Sequence, residues 1–268
     1  MPKATVVAML NRLLKNQRAV VLVGLAGVIS VSWLYVLTGA GLDMPDMTTA
    51  TEMMAMHASW STSYFMLMLL MWWVMMLAMM LPSAAPMIFL YATVNRRNRE
   101  RGNPFVPTGI FSAGYVVVWG TFSLVATVLQ WVLEEAALLS PMMESTSIWL
   151  GAALLIGAGV YQLTPLKQAC LKKCQSPLSF LMHHWRPGRR GALTMGLEHG
   201  AFCLGCCWVL MALLFFGGVM NLLWIAGLAV FVMLEKIVGP WISRSSGLIL
   251  IVWGAGLALS YWRQPALP

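Results

Sequence analysis

Apolar residues run along this chain in long unbroken stretches, with polar residues confined mainly to the connections between them. Seven stretches have the length of a bilayer-crossing helix: 19–39, 63–86, 109–131, 147–163, 193–216, 221–238 and 245–261. About 20 helical residues span a hydrocarbon core of roughly 30 Å. Strands of a membrane barrel would instead alternate polar and apolar positions over about ten residues. Backbone amides in lipid must be satisfied within the structure itself. The pattern therefore predicts an all-α fold, a polytopic transmembrane bundle of about seven spans, as one integral membrane domain over residues 1–268. Residues 133–146 and the long connection after the fourth stretch have room for a re-entrant piece.

Composition removes the soluble alternative. Of 268 residues, 60% are hydrophobic and 10% charged, and the mean hydropathy is +0.77. A soluble domain carries about a quarter charged residues. The first apolar stretch follows Lys3, Arg12, Lys15 and Arg18 and lacks a small-residue cleavage site before a soluble domain, so it reads as a span rather than a leader.

The net charge of +8 is sorted by side. With the N-terminus inside, the tail holds four bases and the second-to-third connection another four, Arg96, Arg97, Arg99 and Arg101. The fourth-to-fifth connection holds six: Lys167, Lys172, Lys173, Arg186, Arg189 and Arg190. Lys236 and Arg244 follow, which leaves Arg263 alone outside. Cytoplasmic loops collect Lys and Arg, so the basic balance signals a cytoplasmic N-terminus rather than a nucleic-acid partner. The expected partner is the lipid bilayer, and the expected location a bacterial inner membrane. Asp43, Asp46, Glu52, Glu134, Glu135 and Glu144 fall in the two longer outer loops.

Candidate chemistry concentrates in the fifth stretch. Residues three and four apart share a helix face, so His199, Cys203, Cys206 and Cys207 form one stripe, extended by Met195 and Met211. Gly196 and Gly200 lie on another face with the spacing that lets a second helix approach closely. Cysteine alone is an ordinary small buried hydrophobe. Three cysteines in five residues, one turn from an intramembrane histidine, instead present thiolate and imidazole donors suited to Cu(I), Zn(II) or iron–sulfur chemistry.

The second stretch carries Met71, Met75 and Met79 in one row and Met76 and Met80 in another. Methionine fills irregular gaps in any core, but its thioether also holds Cu(I) where carboxylates do not. Pro82 and Pro86 remove backbone donors beside these rows, and the helix is expected to kink or loosen there and open a cavity. In the inner connection Cys170 and Cys174 have CxxxC spacing with Lys172 and Lys173 between them, a reactive or metal-binding pair in a reducing compartment. His183 and His184 read as solvated loop residues. Glu235 and Lys236 read as a buried or snorkelling pair, with Glu198 or Lys236 as the partner choices. His57, with Asp43, Asp46 and Met56, is a weak outer loading site. No GxSxG, P-loop or HExxH occurs.

Residues 73–86 (WVMMLAMMLPSAAP), 161–177 (YQLTPLKQACLKKCQSP), 185–191 (WRPGRRG) and 199–221, through Glu235-Lys236, together resemble a bacterial family described as predicted metal-binding integral membrane proteins without an assigned function. The resemblance spans about residues 60–240 and implies a polytopic metal-binding membrane protein. Cys170, Cys174, His199, Cys203, Cys206 and Cys207 stand at its motif positions, while Glu198 departs from it.

These readings converge on copper handling or delivery. The expected site comprises Cys203, Cys206, Cys207, His199, Cys170, Cys174, Met75, Met76, Met79 and Met80, with the CxxxC pair as an inner donor or acceptor. Zinc and iron are the alternative metals, and a periplasmic or membrane metalloprotein is the exchange partner. A subunit of a metal-dependent membrane oxidoreductase or oxygenase is the second reading. A scaffold with disulfide-forming cysteines is the third.

Overall fold

The computed structural model describes residues 2–38, 60–102, 106–140 and 143–262, with side chains from residue 19 onward. Asp43, Asp46, Glu52, Met56, His57 and Arg263 lie outside the described residues. The order is α1 (Pro2–Leu37), α2 (Thr62–Glu100), α3 (Thr108–Glu135), α4 (Ile148–Leu163), α5 (Pro165–Gln175), α6 (Pro177–His184), α7 (Gly188–Ala212), α8 (Leu214–Gly217), α9 (Leu222–Val238) and α10 (Pro240–Trp262). Among the described residues there is no strand, only a bridge between Leu139 and Ser145. The all-helical expectation holds.

Helix ends follow local chemistry. Ser61 and Asn221 cap α2 and α9 by accepting the N–H groups of Tyr64 and Trp224, both at 3.2 Å. Gly102 and Gly239, at φ +89° and +109°, follow the ends of α2 and α9 in the left-handed conformation that glycine adopts without a Cβ penalty. Arg97 and Arg99 sit in the last turn of α2, where cations complement the helix dipole. The break between α4 and α5 falls at Thr164. Its hydroxyl caps α5 by accepting the Lys167 N–H at 3.3 Å, Pro165 opens the new helix, and the axis turns by 66°.

Among the described residues, five stretches are long and apolar enough to cross a membrane: Ala19–Leu37, Thr62–Glu100, Thr108–Glu135, Gly188–Gly217 and Pro240–Trp262. The bent α4–α5 pair makes a sixth if it acts as one span. α9 is equally apolar but has 17 residues. The connection after the fourth stretch, one of the two segments expected to have room for a re-entrant piece, thus carries a sharp bend at Thr164.

Two glycine-lined seams hold the bundle together. A Cβ on Gly196 of α7 would overlap the carbonyl oxygen of Phe111, and one on Gly114 of α3 would lie 2.5 Å from the Leu193 carbonyl. Gly200 faces Tyr115 and Val118. The close approach expected of Gly196 and Gly200 is therefore made, with α3 as the partner. Across the molecule, Gly159 of α4 and Gly247 of α10 meet in the same way.

The distribution of side chains is inside out by soluble standards. Val20, Val23, Leu248, Ile249 and Val252 are exposed, while Gln130, Gln162, Lys167 and Glu235 are buried. The Met rows of α2 face inward, and Met71, Met75, Met76, Met79 and Met80 are all buried. α2 runs through Pro82 and Pro86 as one helix. The Ala78 carbonyl, which Pro82 cannot serve with an N–H, accepts the indole N–H of Trp33 from α1 at 3.1 Å.

One expected pairing is corrected. Glu235 pairs neither with Lys236 nor with Glu198. Lys167 donates to both its carboxylate oxygens, at 3.0 and 2.8 Å, and Gln162 adds a third bond at 2.9 Å. Because α5 folds back against the bundle, a lysine counted among the bases of the fourth-to-fifth connection is wholly buried. Glu198 pairs with Arg186 at 2.7 Å instead.

Candidate metal centre

α7 presents His199, Cys203, Cys206 and Cys207 to the interior, and all four are buried. The stripe read from helical spacing therefore exists. Its thiols are held locally: Cys206 and Cys207 each donate to the Cys203 carbonyl, at 3.0 and 3.1 Å.

Three further helices close around the stripe. From α2, the Met80 sulfur lies 3.9 Å from Cys207 Sγ. From α3, Tyr115 Oη stands 3.1 Å from Cys203 Sγ and donates to the Met80 carbonyl at 3.1 Å, tying the Met helix to the Cys helix. From α9, Lys236 donates to Cys203 Sγ at 3.1 Å and to Ser83 Oγ at 2.6 Å. The two motifs on α2 and α7 meet at Met80 and Cys207, while Met75, Met76 and Met79 continue the row along α2.

The CxxxC pair is part of this cluster rather than a separate inner station. Cys174 interacts with the Cys203 and Cys206 side chains and lines the same cavity as His199 and Lys236. The Cys170 sulfur sits over Gly205, 2.8 Å from where a Cβ would stand. Gly205 is therefore required by the approach of α5, and Tyr161 Oη bonds its carbonyl. All five cysteines are unbridged thiols. Thioether, thiol and imidazole groups thus converge from α2, α5 and α7.

His199 is stacked beside Phe111 and Tyr115, with ring centroids 6.1 and 5.8 Å away. Its Nδ1 is buried and has no hydrogen-bond partner. An unsatisfied buried nitrogen is costly, and it is the kind of group a metal or an incoming ligand atom would satisfy. His183 and His184, in the last turn of α6, place their Nδ1 atoms against the Ser179 and Phe180 carbonyls, at 2.8 and 3.1 Å.

A cavity of about 180 Å³ adjoins the cluster, lined by Pro82, Ser83, Pro86, Cys174, His199 and Lys236 among others. It lies beside the two prolines. Among the described residues, no three His, Cys, Asp or Glu side chains surround a single ion-sized point. The thiols are engaged with carbonyls, with one another and with Lys236, so coordination requires them to turn toward a common centre.

Residues 69–257 match the model of the PpoB2 family, described as copper chaperone. The chain belongs to this copper chaperone family. No curated protein and no solved structure matches it. The copper chaperone match contains every cysteine and the whole Met row. The family is metal-related, as the resemblance implied, and its metal is copper.

Spacing had pointed to the Cys stripe and the Met row, but not to Lys236 as a contact of Cys203 or Tyr115 as the bridge between helices. Both come from other segments, and their register against α7 depends on tertiary packing. Gly205 was visible in the motif, and its small size between Cys203 and Cys206 was the available signal.

Proposed function

We propose that this chain is an integral membrane copper chaperone. It has seven spans and a cytoplasmic N-terminus in a bacterial inner membrane, and it passes Cu(I) to or from a periplasmic or membrane metalloprotein. The observation that carries the reading is the convergence of Cys174 with Cys203 and Cys206, and of Cys207 with Met80, in a chain of the copper chaperone family. Soft thiolates and thioethers select Cu(I) over hard cations.

Cys174, Cys203, Cys206, Cys207 and Met80 are the primary donors in this reading. Cys170 lies beside them, and His199 offers the unpartnered Nδ1. Met75, Met76 and Met79 lead away along α2. Thiols must release their protons to bind metal; the S–H bonds from Cys206 and Cys207 to the Cys203 carbonyl are then lost, while Lys236 stays as the cation beside Cys203. The cavity lined by Ser83, Lys236 and Cys174 gives a second ligand-bearing group room to reach the sulfurs. Sequential exchange of ligands between donor and acceptor suits handing on an ion better than retaining it.

The membrane assignment rests on the exposed apolar flanks of α1 and α10, and on 16 of 17 basic residues falling on one side of the seven-span arrangement. α9 would span about 26 Å at 1.5 Å per residue, which is short but workable beside the bent α4–α5 pair.

Element-resolved mass spectrometry on detergent-purified protein tests the site. Copper near one equivalent or more per chain is expected, with a large loss on changing Cys203, Cys206 and Cys207 to Ser. Unchanged copper in that triple variant would overturn the assignment.

A further inference from the structure

A second group of soft donors lies at the other end of the same Met row, outside every residue discussed above as a metal ligand. Gln130 of α3 is fully buried, and its Oε1 accepts the Trp72 indole N–H at 2.7 Å. That bond fixes which way the amide points. Its Nε2 then faces Glu134 Oε1 at 2.8 Å, Met143 Sδ at 3.4 Å and Met68 Sδ at 3.6 Å. An amide has two N–H bonds to donate, yet three acceptors surround it. Two thioethers and a carboxylate are thus gathered around one electropositive nitrogen.

The sulfur of Met143 is brought there at a backbone cost. Met143 adopts φ +57°, a left-handed conformation unfavourable for a residue with a Cβ. Its N–H is bonded to the Ser140 carbonyl and its own carbonyl accepts the Val219 N–H, which hold the turn so that the side chain is buried against Gln130. Strain of this kind is retained where the placement of a side chain matters. Met68 is also fully buried, and Trp60 holds the second oxygen of Glu134 at 3.0 Å.

We propose that Met68, Met143 and Glu134 form a second cuprous site, which exchanges Cu(I) with the cysteine cluster along the buried thioethers of α2. The donor set fits that ion. Thioethers are soft and neutral, and one carboxylate supplies the single negative charge that a monovalent cation needs in an apolar site. Gln130 holds the donors together before the ion arrives and gives up its sulfur contacts when it binds. Met68 and Met80 are twelve residues apart, about 18 Å along a helix. Met71, Met75, Met76 and Met79 lie buried between them. This site rests on the copper-handling reading and adds a loading or release station remote from the cysteines.

The test compares Ag(I) and Cu(I) binding by full-length protein in detergent. Three variants accompany wild type: Met68→Leu/Met143→Leu, Cys203→Ser/Cys206→Ser/Cys207→Ser, and the combined quintuple change. Leucine conserves volume at both Met positions, and elution volume on size exclusion checks folding. The expected result is that the double Met variant loses about one equivalent. The triple Cys variant keeps one equivalent, whose X-ray absorption shows sulfur and oxygen neighbours, and the combined variant keeps none. The X-ray measurement needs no Met substitution, so it stands even if the Met variant misfolds. Equal loading of wild type and the Met variant, or complete loss of metal in the Cys variant, would overturn the second site and leave the cysteine reading intact. Full retention of metal in the Cys variant with loss of all of it in the Met variant would overturn the cysteine assignment and keep this one.

Discussion

The ammonium of Lys236 on α9 stands 3.1 Å from the sulfur of the buried Cys203 on α7. A cation against a sulfur in a low-dielectric site favours negative charge on that sulfur, and it also offsets charge once metal is bound. Two thiolates around Cu(I) carry a net charge of −1, and Lys236 brings the assembly to neutrality. Buried net charge is costly. Lys236→Met is therefore expected to weaken Cu(I) binding about tenfold or more, equivalent to roughly 1.4 kcal/mol. Competition titration against a Cu(I) chelator reads this directly. An unchanged affinity would mean that the contact serves packing alone.

The Lys167–Glu235 pair should behave as a structural lock on the helix that carries Cys170 and Cys174. Both charges are buried and mutually satisfied. Removing one partner leaves an uncompensated buried charge, which costs about 3–5 kcal/mol, whereas replacing both with apolar residues is often close to neutral. Lys167→Met should thus destabilise the protein severely. Lys167→Met with Glu235→Leu should recover much of the loss, measured as unfolding in mixed micelles. Additive losses in the double variant would contradict the pairing.

What was legible in the sequence divides along a physical line. Spacing within one helix specified its faces, so the stripe of His199, Cys203, Cys206 and Cys207 and the close approach at Gly196 and Gly200 could both be read before the fold was known. Contacts between helices could not. Lys167 counted as one more base of the fourth-to-fifth connection: Thr164 and Pro165 mark a break locally, but nothing local reveals that the axis turns 66° there and that α5 folds back against α7 and α9. The same turn brings Cys174 to Cys203, which merges two motifs that sequence alone kept apart. Gln130, Met68 and Met143 come from two helices and a turn, and no period links them.

The α3–α7 seam should be intolerant of even one methyl group. At Gly196 an added Cβ would overlap the Phe111 carbonyl, and at Gly114 it would press on backbone atoms of Leu193 and Leu197. Backbone cannot yield as a flexible side chain can, so Gly196→Ala and Gly114→Ala are each expected to cost about 1–3 kcal/mol. They should also weaken copper binding, because Tyr115 and Cys203 face each other across this seam. Gly157→Ala, with nothing within 4 Å of its added atom, is the matched control and should be neutral or slightly stabilising. Similar unfolding behaviour for all three variants would show that the seam tolerates expansion.

Trp33 and Pro82 should be energetically coupled although they lie on different helices. Pro82 has no N–H for the Ala78 carbonyl, and the Trp33 indole takes that place at 3.1 Å. Trp33→Phe keeps most of the ring's packing but strands the carbonyl, at an expected cost of about 1–3 kcal/mol. In a Pro82→Ala background residue 82 regains an N–H, and the helix can serve the Ala78 carbonyl itself. The cost of Trp33→Phe should then fall well below its value in the parent, and the difference between the two backgrounds isolates the hydrogen bond from the lost ring area. Unfolding free energies of the four proteins in mixed micelles complete the cycle. Equal costs in both backgrounds would show that Trp33 contributes through packing and that the Ala78 carbonyl is satisfied in some other way.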